Sequence, residues 1–233
     1  MWCTEPVKIR LAAALVVALA ALAGCSTPPG PAPASPAPPL PEDAIAYDDL
    51  LSTDREFPFD NTCDQLGADS IDEVGARAAR VLQGMGGPVG CAVEFGSAEL
   101  DELWIEAEGP PNPSEPRYFP LLWNGDAGTG TTYHRRLLLD GRYYAVETID
   151  FYGGQPGCYL TVDTGSPYAL QFRGIVPEAV AATYGELNSS LTNYVVDHVG
   201  TDRFMTDNCP VVERTAIVLL GDIDPGGGSL ATS

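Results

Sequence analysis

The apolar run from Leu11 to Leu22 leads straight into Ala23, Gly24 and Cys25, and this arrangement decides the compartment in which the rest of the chain must fold. Lys8 and Arg10 supply a positive start, and small residues stand where a peptidase must fit the chain. The segment reads as a bacterial lipoprotein signal whose cysteine is acylated and becomes the mature N-terminus. A spanning helix needs about 20 consecutive apolar residues, and this run stops short of that. Residues 1–24 are therefore set aside as a signal peptide, with Cys25 as the lipidation site. Acyl chains on Cys25, at about 0.8 kcal/mol per buried methylene, would hold the protein durably in a lipid bilayer.

Export puts four further cysteines, Cys63, Cys91, Cys158 and Cys209, in an oxidising envelope, where an even number favours two disulfides over free thiols. The sequence leaves the possible pairings open. Nearest-neighbour closure favours Cys63 with Cys91 and Cys158 with Cys209, because each bond then joins a helix to a strand. No two cysteines are close enough for a zinc knuckle, His134 and His198 are isolated, and no Cys-x-x-Cys is present. Neither a metal nor a cofactor is expected.

The formal charge is −20, and Lys8 is the last lysine in the chain. Such acidity argues against nucleic acid as a partner and against attraction to anionic headgroups. From Ser26 to Pro41 the chain is rich in proline, alanine and serine, the composition of an extended tether with a reach of about 50 Å. The expected organisation is a lipidated tether over residues 25–56, one ectodomain over 57–222 and a flexible glycine-rich tail over 223–233.

Within the ectodomain, Ser70 and Glu73 read as a capping box, with Ile71, Val74, Ala78, Val81 and Leu82 continuing a helix that Gly84 stops. Val89, Cys91, Val93 and Phe95 alternate as a strand, and Leu103, Ile105 and Ala107 as its partner. Asp140-Gly141 marks a hairpin between two runs rich in strand formers. Cys158, Leu160 and Val162 share a face, as do Tyr168, Leu170 and Phe172 beyond the turn at 163–167. Helical spacing returns at Leu187, Leu191, Tyr194, Val195 and His198, and a last helix is expected to start near Asn208 with Pro210 in its first turn. This order predicts an α+β fold, a single domain with an antiparallel sheet of about five or six strands packed by N-terminal and C-terminal helices and held by two disulfides.

The layout resembles a family of actinobacterial lipoproteins of unassigned function. The residues that carry the resemblance are the lipobox and tether, Cys63 with Leu66 just before a helix, Cys91 opening a strand after Gly87-Pro88, Cys158 in a central strand and Cys209 at the head of the C-terminal helix. It spans residues 57–221. The resemblance implies an envelope location and the same cysteine pairing, and brings no activity with it. The family usually has an aromatic soon after the second cysteine, where this chain has Ala92 and Val93 before Phe95.

The sharpest catalytic candidate is Asp163-Thr164-Gly165-Ser166, which looks like the turn of an aspartic protease. That chemistry needs two carboxylates sharing a proton, and the chain has no second Asp-Thr-Gly or Asp-Ser-Gly; the same residues make an ordinary β-turn. The glycine-rich stretch 125–130 lacks the lysine of a phosphate loop, and the acid pairs Asp48-Asp49 and Asp222/Asp224 lack calcium-loop spacing. Aromatics are dense on the sheet, and Tyr144 and Tyr159 fall out of phase with the main apolar set, so these two are expected to line a binding surface. The expected function is a membrane-anchored, non-enzymatic binding or interaction module of the cell envelope, its partner an envelope protein or a small ligand. The alternative is an envelope hydrolase using Asp163.

Overall fold

The computed structural model describes residues 55–97, 99–109, 118–124, 134–152, 155–184 and 198–229. They form one seven-stranded antiparallel sheet and four α-helices. In chain order these are α1 (Ala68–Glu73), β1 (Ala78–Gly84), β2 (Gly87–Glu94), β3 (Glu102–Glu108), α2 (Tyr118–Asn124), β4 (His134–Leu139), β5 (Tyr143–Tyr152), β6 (Gln155–Asp163), β7 (Ala169–Ile175), α3 (Glu178–Ala181) and α4 (His198–Ile223). Two meanders make up the sheet, in the order β1-β2-β3-β7-β6-β5-β4.

The sheet exceeds the five or six strands expected, and the added strand is β1, where the sequence reads as a helix through Leu82. The helix ends earlier because Gly75 takes φ +71°. The Gly75 N–H bonds the carbonyl of Asp72 at 3.0 Å and the Ala76 N–H that of Ile71 at 3.0 Å, a Schellman closure that only a left-handed residue completes cheaply. Arg77 then donates to the carbonyl of Glu94, and β1 pairs along β2, with Val81 opposite Cys91. Ser70 does not cap α1. The cap position is Gly67, whose N–H donates to Asp222 Oδ2 at 2.8 Å, so the carboxylate comes from the end of α4.

The Asp140-Gly141 signal does make the β4–β5 turn, with φ +48° and +66° and a 2.9 Å bond from the Arg142 N–H to the Leu139 carbonyl. α4 departs from the expectation more widely. It begins at His198, runs 26 residues and carries Pro210 in its interior. Asn208 is no cap; its Nδ2 donates to the Phe204 carbonyl at 2.8 Å. A mid-helix proline costs about 3 kcal/mol, and the turns before it offset that by burying Thr201, Phe204, Met205 and Cys209. Of the stripe expected over Leu187–His198, residues 185–197 lie outside the described residues, as do the glycine-rich loop at 125–130 and residues 110–117.

The main core lies between α4 and one sheet face, where Cys91, Val93, Leu103, Ile105, Leu160, Val162, Leu170 and Phe172 meet Val212, Ala216, Leu219 and Leu220. A Cβ on Gly174 would stand 2.2 Å from Val212 Cγ2, so this glycine sets how closely α4 approaches β7. Cys158–Cys209 ties α4 to β6, and Cys63–Cys91 ties the segment before α1 to β2. Closing 28 and 51 residues, these bonds stabilise by about 4 kcal/mol each in the chain-entropy model.

Residues at both ends of the ectodomain, read as tether and tail, pack into the fold. Arg55 bonds the Thr164 carbonyl at 2.8 Å and Asp224 at 2.6 Å. Ser229 accepts from the Tyr144 N–H at 2.7 Å and donates to the Asp163 carbonyl at 2.8 Å. Asp224–Ser229 thus carries the polar groups that close the lower ends of β5 and β6. Residues 230–233 lie outside the described part.

Candidate functional site

Alternation along the strands sends a second set of side chains to the face opposite α4. The register aligns Ala92, Trp104, Arg173, Tyr159 and Thr148 in one row across β2, β3, β7, β6 and β5. The Arg173 guanidinium lies 4.9 Å from the Trp104 ring centroid and 4.8 Å from that of Tyr159, a cation held between two π faces. Arg173 and Tyr159 are each 8% exposed, and Trp104 is half-buried. The next row carries Glu106, Gln171, Thr161 and Val146, with Gln171 Nε2 3.5 Å from Thr161 Oγ1.

Carboxylates border this patch. Trp104 Nε1 donates to Glu102, which also pairs with Arg80; Arg80 reaches Glu94 at 3.0 Å. Burial pushes the Glu106 carboxyl above its ordinary range, against the pull of Arg173. Burial raises Glu108 as well, with the charge of Glu106 adding to it. Desolvated carboxyls of this kind gain from any hydrogen-bond donor that reaches them.

The rest of this face is covered by α2, an element the sequence reading did not contain. Its Phe119, Leu122 and Trp123 pack on Tyr144, Val146 and Ala169, with Trp123 edge-on to Tyr144 at 5.7 Å. Arg136 lies over Trp123 at 5.1 Å and donates to its carbonyl at 2.8 Å. Tyr144 and Tyr159 therefore share the expected face without meeting. Tyr159 is opposite Thr148, and Tyr144 lies about 13 Å further down β5, beneath α2. The residue that sequence reasoning missed is Arg173, a lone charge between Phe172 and Gly174; its only signal is that it falls on the polar phase of an otherwise apolar strand.

Asp163 occupies the β6–β7 turn, fully buried, and its Oδ1 accepts the Gly165 N–H at 3.1 Å. Thr164 Oγ1 and Ser166 Oγ are 3.1 Å apart, and Ser166 Oγ donates to the Tyr168 carbonyl at 2.7 Å. These are the local bonds of an Asx-type turn.

On the α4 side a different cluster is enclosed. Arg135 donates through Nε and Nη2 to the two oxygens of Glu147 at 3.1 and 3.2 Å, and also pairs with Glu213 of α4. Glu147 and Glu213 are 1% and 2% exposed and share the Arg135 guanidinium. Burial pushes Glu147 up to about 8, with Arg135 opposing and Glu213 adding to the rise. One guanidinium thus serves two buried carboxyls. A groove of about 300 Å³ between α1 and α4, lined by Glu73, Val74, Val211, Arg214, Thr215 and Val218, is separate from both clusters.

Among the described residues no group of three or more His, Cys, Asp or Glu side chains is placed to hold a metal ion, and no helix is long and apolar enough to cross a membrane. Two disulfides belong to an oxidising, extracytoplasmic setting. No protein-family model, curated protein or solved structure matches the chain.

Proposed function

We propose that this protein is a lipoprotein of the bacterial cell envelope, anchored by acylation of Cys25, which acts as a non-enzymatic binding module. Its ligand seat is the part of the sheet face that α2 leaves uncovered. The lipobox, the two disulfides and the likeness in layout to actinobacterial lipoproteins support the location. The observation that carries the binding role is the Trp104–Arg173–Tyr159 row with Glu106 alongside, because it gathers a cation, an aromatic edge and a half-buried carboxyl on one rigid surface. Three strands fix the row, so little ordering is needed when a ligand arrives. The fitting partner is a small polar molecule that donates hydrogen bonds to Glu106 and lies against Trp104.

Tryptophan fluorescence and thermal shift of the purified ectodomain, titrated with fractionated envelope metabolites, test this. A saturable response that Trp104→Ala and Glu106→Gln abolish and Asp163→Asn leaves intact is the expected result. Binding that is indifferent to Trp104 and Glu106 would move the site elsewhere. Hydrolysis of envelope substrates lost in Asp163→Asn would favour the hydrolase instead, since asparagine keeps the bond to the Gly165 N–H.

A further inference from the structure

The large hydrophobic side chains that stand exposed among the described residues are Met85, fully exposed, Tyr168 at 45% and Val89 at 42%. They come from two hairpins far apart in sequence, yet the register brings them to one end of the sheet. Gly90 is opposite Glu106, Glu108 opposite Ala169, and Ala169 opposite Asp163. The β1–β2 tip, the end of β3 and the β6–β7 turn therefore project past the same edge.

The chain arriving from Cys25 joins the fold at this end as well. Arg55 sits on the Thr164 carbonyl and Asp224, and the Phe57 ring packs 5.7 Å from that of Tyr168. Single exposed hydrophobics scattered over a surface carry no meaning. Here all of them lie at the end of the sheet where the anchored segment joins, Tyr168 in contact with it through Phe57, and Met85 projects from glycines on both sides, with open space around Gly86 and Gly87.

We infer that this end of the sheet rests on the lipid surface that holds the Cys25 acyl chains, with Met85, Val89 and Tyr168 seated at the headgroup boundary; the inference rests on the lipid-anchor reading above. A tether keeps the bilayer at high effective concentration, so a weak contact suffices. Tyrosine suits this depth, with an apolar ring and a wet hydroxyl. Because the chain carries a formal charge of −20, the contact is apolar: it survives salt and is weaker on anionic than on zwitterionic lipid. Strands standing on end would turn the Trp104–Arg173–Tyr159 face sideways, clear of the headgroups.

The test uses the full acylated chain in phosphatidylcholine vesicles whose acyl chains are brominated. A fluorophore is placed on Met85→Cys or, at the opposite end in the β2–β3 turn, on the exposed Glu99→Cys, with both disulfides verified by mass. Quenching several-fold stronger at position 85 than at 99, reduced by an added Val89→Asp and reduced on phosphatidylglycerol, is expected. Equal quenching at 85 and 99 on a chain that floats with the vesicles overturns the contact and leaves the anchor standing. A chain that does not float overturns both.

Discussion

The phenol of Tyr143 donates to the carbonyl of Asp224 at 2.8 Å and reaches its carboxylate at 3.2 Å, which fastens the end of α4 to the first residue of β5. Arg55 completes the cluster from the other end of the domain, held charged by its bond to the same carboxylate. Burial and the Asp224 charge hold the Tyr143 hydroxyl well above its ordinary pKa, so it acts as a donor throughout the working range. Tyr143→Phe removes the donor and leaves two buried acceptors short of it. The expected loss is about 1–3 kcal/mol by urea unfolding. Ending the chain at Ile223 is expected to cost more, since Asp224, Gly228 and Ser229 all leave together.

Gly174 supplies a steric prediction. A methyl group there would overlap Val212 of α4 and lie 3.1 Å from Leu100 Cδ1, with neither neighbour free to yield inside the core. Gly174→Ala is expected to destabilise by about 1–3 kcal/mol. Gly86→Ala, where the added atom meets nothing within 4 Å, is the matched control and should leave the unfolding midpoint unchanged.

What the sequence makes legible here is whatever local chemistry alone decides. Asp140-Gly141 announces its turn because two successive positive φ values suit that pair, and the alternation around Cys91 and Leu160 announces strands with one buried face. What it conceals is decided by partners distant in the chain. Val81 and Leu82 keep helical spacing with Ile71, yet β2 offers β1 a ladder and Gly75 ends the helix first. Pro210 reads as a first turn because the contacts that sustain α4 ahead of it come from distant parts of the chain: Phe204 and Met205 lie in the core, and the Phe204 ring packs 5.4 Å from that of Tyr184. Arg173 is invisible as a site residue since its meaning comes from Trp104 and Tyr159 on neighbouring strands. The glycines at 226–228 look like slack, and only Arg55, Arg142 and Asp163 show what that segment closes.

The disulfides make a paired prediction. Replacing Cys158 and Cys209 together by alanine removes the tie between β6 and α4, at about 4 kcal/mol in the chain-entropy model. Replacing Cys63 and Cys91 removes a tie to a segment whose Cys63 is only half-buried, closing the shorter loop of 28 residues. Guanidinium unfolding of both double variants should place the Cys158/Cys209 variant lower, with α4 helicity lost earlier by circular dichroism. Equal midpoints would show that α4 is held chiefly by its apolar contacts.

The buried carboxyl pair predicts how stability follows pH. Glu147 is raised from 4.5 to about 8 in the folded protein. The native state therefore binds its proton more tightly than the unfolded chain does. A group shifted in this direction contributes its stability in full below its unfolded value and loses it as pH climbs through the folded value. Thermal midpoints of the wild type should accordingly fall between about pH 5 and pH 8.5. Glu106 and Glu108, also raised by burial, contribute in the same sense, so the slope belongs to Glu147 only by difference. Glu147→Gln supplies that difference: its amide accepts from Arg135 without titrating. The variant should match the wild type near the acid end and exceed it by several degrees at the alkaline end. A wild-type-minus-variant curve that stays flat across this range would mean that Glu147 holds no proton beneath α4.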